Sequence, residues 1–245
     1  MIAAGGRAIL LQIANPAVGL GVAEHSDFTA RPTARLANTL AYIYAVVYGT
    51  AAQRAAAVAA VGQAHAPVRS SAGGDDLAYS AFDPRLQLWV AATLYDSAVD
   101  MHQRIDGALD AASAELVYRE YAVLGTALQL PPELWPADLQ AFDVYFAEQL
   151  TLLHTDDQTR AVAAALLHPT VGPIWLKAAM PVAGLVTAGL LPAPVRESFG
   201  LPWSATRQRR FDRLMLITRV VYPRLPRALR HLPRHRLLAS RPAAG

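Results

Sequence analysis

Residues 35 to 69 contain the side-chain types whose spacing is most suggestive of chemistry. Arg35 and Thr39 are four residues apart, so they lie on the same stripe of a predicted helix. His65 ends the next helical pattern, which consists almost entirely of alanine and valine. An imidazole in such a setting is a metal ligand, a hydrogen-bonded core group or a partly exposed polar group. These three residues are therefore the first candidates for a functional site.

Both a structural and a ligand role stay open for His65, because a single helical histidine is most often structural. Two features of the chain favour the ligand role. The sequence has no cysteine, so thiolate ligation is excluded, and a histidine is the natural protein ligand for a haem iron in a helical fold. Pro67 should bend or end the helix and free the carbonyl of Gln63, which places His65 near a helix end where a pocket forms easily.

Two interpretations also stay open for Arg35 and Thr39. The simpler one is a solvated flank shared with Tyr42 and Val46, with the Thr39 hydroxyl bonded to the backbone of its own helix. That flank would lie beside a core face of four apolar residues at helical spacing: Leu36, Leu40, Ile43 and Val47. In the functional interpretation, a guanidinium and a hydroxyl are presented together to an anion or to metal-bound oxygen.

The other histidines are weaker candidates. In the stretch EHSD, His25 lies close to Glu24 and Asp27, a combination that can bind a non-haem metal, but no second helical histidine supplies the usual paired ligand. The remaining five histidines are interpreted as surface or structural residues: His102, His154, His168, His231 and His235. The chain has no glycine-rich phosphate loop, HExxH motif or nucleophile elbow.

The periodicity of the chain is helical nearly throughout and predicts a single all-α domain of about eight helices over residues 1–225. An irregular Arg/Pro-rich tail is expected over residues 226–245, because prolines recur there. Thr50 with Gln53, and Asp83 with Pro84, are helix-start signals. The predicted helices span residues 5–14, 33–48, 50–65, 83–107, 113–128, 136–153, 158–167, 173–190 and 204–222.

The composition is more apolar than that of an ordinary soluble domain. Hydrophobic residues make up 53% of the 245 residues and charged residues 17%. A large buried pocket or a membrane-contacting surface would explain this. The apolar N-terminal run is interpreted as a core helix rather than a signal peptide. The run over residues 171–191 is interpreted as a buried, bent helix, since Lys177 and Pro181 interrupt it.

The last fifth of the chain is strongly basic. Residues 196–241 contain twelve arginines. Such a segment suits nucleic acid or an anionic membrane surface, although a solvated helix face is the simpler interpretation. The arginines are not interleaved with a row of aromatic residues, which disfavours base stacking. We therefore expect no nucleic-acid partner and keep the Arg-rich C-terminus as a candidate peripheral membrane contact.

Several stretches together resemble the rubber oxygenase catalytic-domain family, which includes the latex clearing proteins and the endoplasmic-reticulum-bound oxygenase of mycophenolic acid biosynthesis. The similar stretches follow the family's order from about residue 5 to residue 205. They are GGRAILLQIANP, HSDF followed by RLANTLAYIYAVVYG, HAPVR, YSAFDPRLQLWVAATLYDS and VTAGLLPAPVRESFGLPWS. The set is specific, whereas no single stretch would be.

This resemblance implies a globin-like all-α core that holds a b-type haem. It implies that His65 is the proximal iron ligand and that Arg35 and Thr39 lie on the distal side, next to dioxygen. Arg69 would pair with a haem propionate, unless Pro67 turns it away from the His65 face. The sequence departs from the family at two positions. Asn15 stands where the family often has histidine, and Asn38 stands where the latex clearing proteins have lysine.

The expected function is that of a cytoplasmic, haem b-dependent oxygenase or oxidase that uses dioxygen to oxidise a hydrophobic small molecule. Oxidative C=C cleavage and a natural-product tailoring step both fit this description. The family's leading helices look truncated, which would open the pocket and favours a substrate smaller than polyisoprene. Two alternatives remain open at this point: a haem-binding sensor or carrier without turnover, and a haem-free helical module that associates with membranes or nucleic acid.

Overall fold

The computed structural model is an all-α fold. It describes residues 2–25, 32–70, 79–171 and 173–239, without the side chains of residues 2–3, 32–36, 233–235, 237 and 239. In that part of the chain the only β-pairing is one antiparallel bridge between Arg69 and Ser80. The α-helices are α1 (Ile2–Ile13), α2 (Pro16–His25), α3 (Pro32–Tyr48), α4 (Ala51–His65), α5 (Pro84–Asp106), α6 (Ala111–Tyr121), α7 (Val123–Thr126), α8 (Leu139–Thr151), α9 (Asp157–Leu167), α10 (Ile174–Leu190), α11 (Ala193–Ser198), α12 (Ala205–Val221) and α13 (Arg227–Ala239).

The predicted fold class is confirmed, but the helices are more numerous than the eight expected. Some of the additional helices are short, such as the single turn α7 and the six-residue α11. Helix α2 was missed because the sequence Asn15-Pro16 was interpreted only as the end of α1. The Asn15 side chain also starts α2, since its Oδ1 accepts a hydrogen bond from the backbone N–H of Ala17 at 3.1 Å. The globin-like character of the core stays a prediction.

Capping residues read from the sequence start α4 and α5 as expected. The Thr50 hydroxyl accepts from the backbone N–H of Gln53 at 3.2 Å, and the Gln53 side chain accepts from the Thr50 N–H at 3.0 Å. Asp83 accepts from the backbone N–H of Arg85 at 2.8 Å, with Pro84 in the first turn. The starting points of these two helices are therefore encoded locally.

The main core lies between α1 and α5. Leu10, Leu11 and Ile13 of α1 are fully buried, as a core helix requires. Trp89 of α5 packs among them and donates its indole N–H to the carbonyl of Leu11 at 3.2 Å. Tyr95, one and a half turns further along α5, makes edge-on contacts with the rings of α6 and α8. This core forms the rigid body against which the other helices pack.

A second core cluster joins α3, α4 and α7. Its buried members are Tyr42, Ile43, Ala45, Val46, Ala57 and Leu124. A third, smaller cluster joins α1, α5, the second half of α10 and the first half of α12 around Phe211. The candidate site belongs to the helices of the second cluster.

Two expectations about the second half of the chain were wrong. Helix α10 was expected to be buried throughout, but in its first half Ile174 and Trp175 are exposed, and burial begins only near Val186. The tail from residue 226 was expected to be irregular, but Arg227–Ala239 forms α13. This helix packs along α3, and its residue Leu238 joins the second cluster, which compensates for the unfavourable prolines.

Within the described residues, no single helix is long and apolar enough to cross a membrane. Helices α1 and α2 pass the length and composition test only as a pair, and the chain bends by 102° between them.

Candidate functional site

Helices α3 and α4 form a hairpin that positions the candidate residues. The two helices pack along each other and are joined by Gly49 and Thr50. Thr39 lies about three helical turns before this connection and His65 about four turns after it. His65 therefore lies at the end of the hairpin that is remote from the turn, whereas Thr39 lies near the middle of α3. Arg35 lies one helical turn before Thr39 on α3, and its side chain is outside the described part of the structure.

The α3 helix is buried on all sides over two turns. Residues 40–46 are buried without interruption, so the interpretation of Tyr42 and Val46 as a solvated flank was wrong. The Tyr42 hydroxyl donates to the carbonyl of Leu124 at 2.5 Å, and burial raises its pKa above the usual range. Val47, expected in the core face, is exposed instead. Thr39 is half-buried and directly precedes this enclosed stretch.

His65 is the last residue of α4, as Pro67 predicts. The imidazole is half-buried, and its Nδ1 atom is buried. The Phe82 ring lies edge-on to the imidazole, with 6.4 Å between the two ring centroids. The rest of α4 is largely exposed, and Ala57 is its buried residue. Because the backbone N–H of Val68 donates to the carbonyl of His65 at 2.9 Å, the chain turns immediately after the histidine.

After this turn, the chain forms the short antiparallel bridge that carries Arg69. The Ser70 N–H donates to the Tyr79 carbonyl at 3.0 Å, and the Ala81 N–H donates to the Val68 carbonyl at 2.9 Å. Arg69 is exposed on this bridge. The turn at Pro67 thus takes Arg69 out of the α4 helix and onto a separate element, four residues after His65.

A tyrosine that sequence reasoning missed anchors the bridge to α2. The hydroxyl of the buried Tyr79 donates to Glu24 Oε2 at 2.5 Å and lies 3.0 Å from Nδ1 of His25. Burial and the bond to Glu24 raise the pKa of Tyr79 to about 12. A Cβ atom at Gly21 would lie 3.1 Å from the Tyr79 ring and 3.5 Å from Val68, so glycine permits this close packing.

These contacts bear on the non-haem interpretation of His25. Its partner in the structure is Tyr79, and Asp27 lies outside the described residues. Where side chains are described, no group of three or more His, Cys, Asp or Glu residues is placed to hold a metal ion. Among the described residues, His25 therefore has no set of further metal ligands around it. A haem iron, by contrast, needs only one protein ligand.

A shallow groove of about 520 Å³ opens between α4 and α7. Its lining consists mainly of small or apolar side chains: Ala51, Arg54, Ala55, Val58, Val123, Thr126 and Ala127. All of its α4 residues belong to the first half of that helix, near Thr50. The groove is therefore separate from the end of the hairpin that carries His65, and Thr39 does not line it either.

The residues around His65 suit a flat apolar cofactor held through one imidazole. Val61 and Val58, about one and two helical turns before His65, are partly buried against the second cluster, and the edge of the Phe82 ring lies beside the imidazole. A histidine in apolar surroundings within a helical protein is a common haem ligand. The donor chemistry of the site thus fits a b-type haem.

The protein is thus all-α, with its main core on α1 and α5 and a candidate ligand, His65, at the end of the α3–α4 hairpin. The model of the family described as "ER-bound oxygenase mpaB/B'/Rubber oxygenase, catalytic domain" matches residues 1–220. The chain therefore belongs to this family, and the resemblance inferred from its motifs is confirmed. The family is one of oxygenases, which is consistent with an oxidoreductase.

Two similar relatives come from mycobacteria. An uncharacterized protein of Mycobacterium tuberculosis and one of Mycobacterium bovis are each 37% identical to this chain over 223 residues. The alignments cover 89% of this chain and 87% of each relative. No solved structure gives a significant match.

Proposed function

We propose that this protein is a haem b-dependent oxygenase or oxidase that uses dioxygen to oxidise a hydrophobic small molecule. The observation that carries this proposal is that Arg35 and Thr39 lie on α3 and that His65 ends α4, the helix packed against α3, within a chain of the oxygenase family. Oxidative C=C cleavage and a natural-product tailoring step are the reactions we favour.

In this proposal His65 would hold the haem iron, and the haem would supply the redox-active centre that dioxygen chemistry needs. Arg35 and Thr39 of α3 would act on dioxygen and on the substrate. Arg35 contributes a permanent positive charge with several N–H donors, and Thr39 contributes a hydroxyl. Both groups stabilise negative charge that develops on oxygen during reduction. The buried stretch of α3 next to them excludes water and favours an apolar substrate.

The roles of the neighbouring polar residues differ from those in the latex clearing proteins. Asn38, next to Thr39, has an amide that neither gains nor loses a proton near neutral pH, so we assign no acid–base step to it. The turn at Pro67 takes Arg69 off α4 but leaves it exposed only four residues after His65. We therefore keep Arg69 as the proposed partner of a haem propionate, which a guanidinium binds through two parallel hydrogen bonds.

The ligand assignment is tested by the absorption spectrum of the purified protein before and after dithionite and carbon monoxide. We expect a Soret band that shifts on reduction and again with carbon monoxide. His65→Ala should purify without haem and fail to take up added hemin. His154→Ala, which removes an exposed histidine elsewhere, should keep the wild-type spectrum. Full haem occupancy in His65→Ala would show that another residue binds the iron.

A second candidate function is haem binding without turnover, as in a sensor or carrier. The observation that favours it is Asn38 in the place of the lysine of the latex clearing proteins. Oxygen consumption with a panel of apolar substrates separates the two functions. An oxygenase loses turnover in Arg35→Ala while keeping its Soret band, whereas a carrier shows the same absence of turnover before and after the substitution.

A further inference from the structure

The charges of this protein are strongly segregated along the chain. Residues 196–245 contain twelve of the 22 basic residues but only two of the 19 acidic ones, Glu197 and Asp212. No acidic residue follows Asp212. The elements from the middle of α12 onward therefore present positive charge without neutralising carboxylates of their own.

The same part of the chain exposes large apolar side chains. Between residues 216 and 232, eight of them are exposed, including Leu216 at 62% and Leu229 at 56% of their full accessible area. The others are Ile217, Val220, Val221, Tyr222, Leu225 and Leu232. The arginines at 219, 224 and 227 are exposed among them. We call this surface, from Leu216 to Leu232, the basic apolar face.

Helical spacing shows that α12 has two distinct apolar sides. Phe211 is buried in the third core cluster, with Leu214 and Met215 packed against that cluster. Val220 follows Phe211 by nine residues, or about two and a half turns, so it points to the opposite side of the helix. The apolar residues of the outer side are thus additional to those that the core requires.

We propose that the basic apolar face docks on the surface of an anionic lipid membrane. Leucine and valine side chains embed in the headgroup–acyl boundary, while the arginines bind anionic headgroups. Nucleic acid would use the arginines but would leave the aliphatic side chains in water. A second copy of the chain would bury the aliphatic residues but would bring like charges together. The membrane surface satisfies both features at once.

The basic apolar face is connected to the candidate site through α13. The inner side of this helix packs along α3, and Leu238 contacts the cluster that joins α3 and α4. The side-chain amide of Gln53 in α4 donates to the carbonyl of Leu238 at 3.5 Å. A membrane held by the outer side would therefore be separated from α3 only by the α13 helix. Apolar substrates dissolve in such a membrane.

The test is flotation of the full-length purified protein with lipid vesicles. One set of vesicles is phosphatidylcholine alone, and the other contains about 30% phosphatidylglycerol to supply negative charge. We expect binding to the anionic vesicles that weakens but persists in about 0.5 M salt, since salt screens the arginines and leaves the apolar contribution. Absence of binding to anionic vesicles at low salt would overturn the proposal.

Two pairs of variants separate the apolar from the electrostatic contribution. Leu216→Ser with Val220→Ser should weaken binding to anionic vesicles by about tenfold or more, because two exposed aliphatic groups are removed from the contact. Arg219→Gln with Arg227→Gln should weaken it mainly at low salt. The matched controls are Leu116→Ser with Val144→Ser and Arg85→Gln with Arg119→Gln, all exposed positions on other elements.

Equal losses in the variants and their controls would overturn the proposal. So would tight, salt-sensitive binding of duplex DNA without vesicle binding. A dimer in solution that both the serine and the glutamine variants dissociate, without vesicle binding, would assign the face to a second copy instead. The inference goes beyond the proposed function, and flotation requires no haem. A failed membrane test and a failed haem test are therefore distinguishable.

Discussion

At the scale of single residues, the guanidinium of Arg7 joins three helices at one point of the core. Its Nε donates to the carbonyl of Leu190 at 2.8 Å, and one of its terminal nitrogens donates to the Ser97 hydroxyl at 2.8 Å. The same nitrogen forms an ion pair with Asp96. Burial raises the pKa of Asp96 more than the nearby guanidinium lowers it, so this carboxylate depends on Arg7 to stay charged.

We therefore expect Arg7→Ala to lower the free energy of unfolding by about 3 kcal/mol, because it leaves a largely buried carboxylate without its cation. Urea denaturation measures this loss. Arg119→Ala removes an exposed pair with Glu115 and should cost less than about 1 kcal/mol. Adding Asp96→Asn to Arg7→Ala should recover part of the stability. A double variant no more stable than Arg7→Ala alone would show that the loss comes from packing and not from the charge.

At the scale of elements, the helix starts are the features that the structure makes easiest to test. Asp156 starts α9 and accepts from the backbone N–H of Thr159 at 2.7 Å, which lowers the pKa of the carboxyl below its usual 3.8. A depressed folded-state pKa stabilises the protein above about pH 4, and this contribution disappears as the pH falls through the folded-state value. The cap is thus strongest at neutral pH.

Asp156→Ala should accordingly cost about 1 kcal/mol in urea denaturation at neutral pH, and less in acid. Asp157→Ala is the neighbouring control, since that side chain forms only an exposed pair with Arg160 and should cost less at neutral pH. If the cost of Asp156→Ala were the same at about pH 2 as at pH 7, the charged cap would not be its source.

The elements that sequence reasoning predicted well are those with local signals. Thr50 and Asp83 bond to backbone N–H groups two or three residues away, so their capping is visible in the sequence. Helix α13 depends instead on distant contacts with α3, which outweigh the unfavourable prolines around it. The exposure of the first half of α10 was equally hard to predict from the sequence. The composition of this helix is that of a buried helix, and only the fold decides which half the core covers.

The features of the candidate site fall into the same two groups, those with local sequence signals and those that depend on distant contacts. The helix spacing and Pro67 placed Thr39 on α3 and His65 at the end of α4. The anchor between Tyr79 and Glu24 was not predictable, because 55 residues separate the two partners and no local pattern marks the tyrosine. The departure of Arg69 from α4 after Pro67 was foreseen, but its bridge to Ser80 was not, because that pairing is a tertiary contact. Side-chain types thus indicated the chemistry, whereas tertiary contacts determined the surroundings.

At the scale of the whole molecule, the three core clusters differ in size and in what holds them. The α1–α5 core contains most of the large buried side chains. The α3–α4 hairpin is attached through the smaller second cluster, in which α4 contributes a single buried residue, Ala57. Because little apolar area holds α4, this helix should open locally at a lower free-energy cost than α5.

Amide hydrogen exchange tests this difference and its link to the cofactor. In the haem-free protein, the amides of α4 should exchange much faster than those of α5. Hemin should slow exchange in α4, because a ligand that binds through His65 stabilises the folded helix against local opening. This stabilisation is about 2.7 kcal/mol when the hemin concentration is a hundred times its dissociation constant. In His65→Ala, hemin should leave the exchange of α4 unchanged, while α5 serves as the internal reference in both proteins. Equal protection of α4 and α5 without hemin would show that the hairpin is as stable as the α1–α5 core. The end of α4 that carries His65 would then be formed before the cofactor binds.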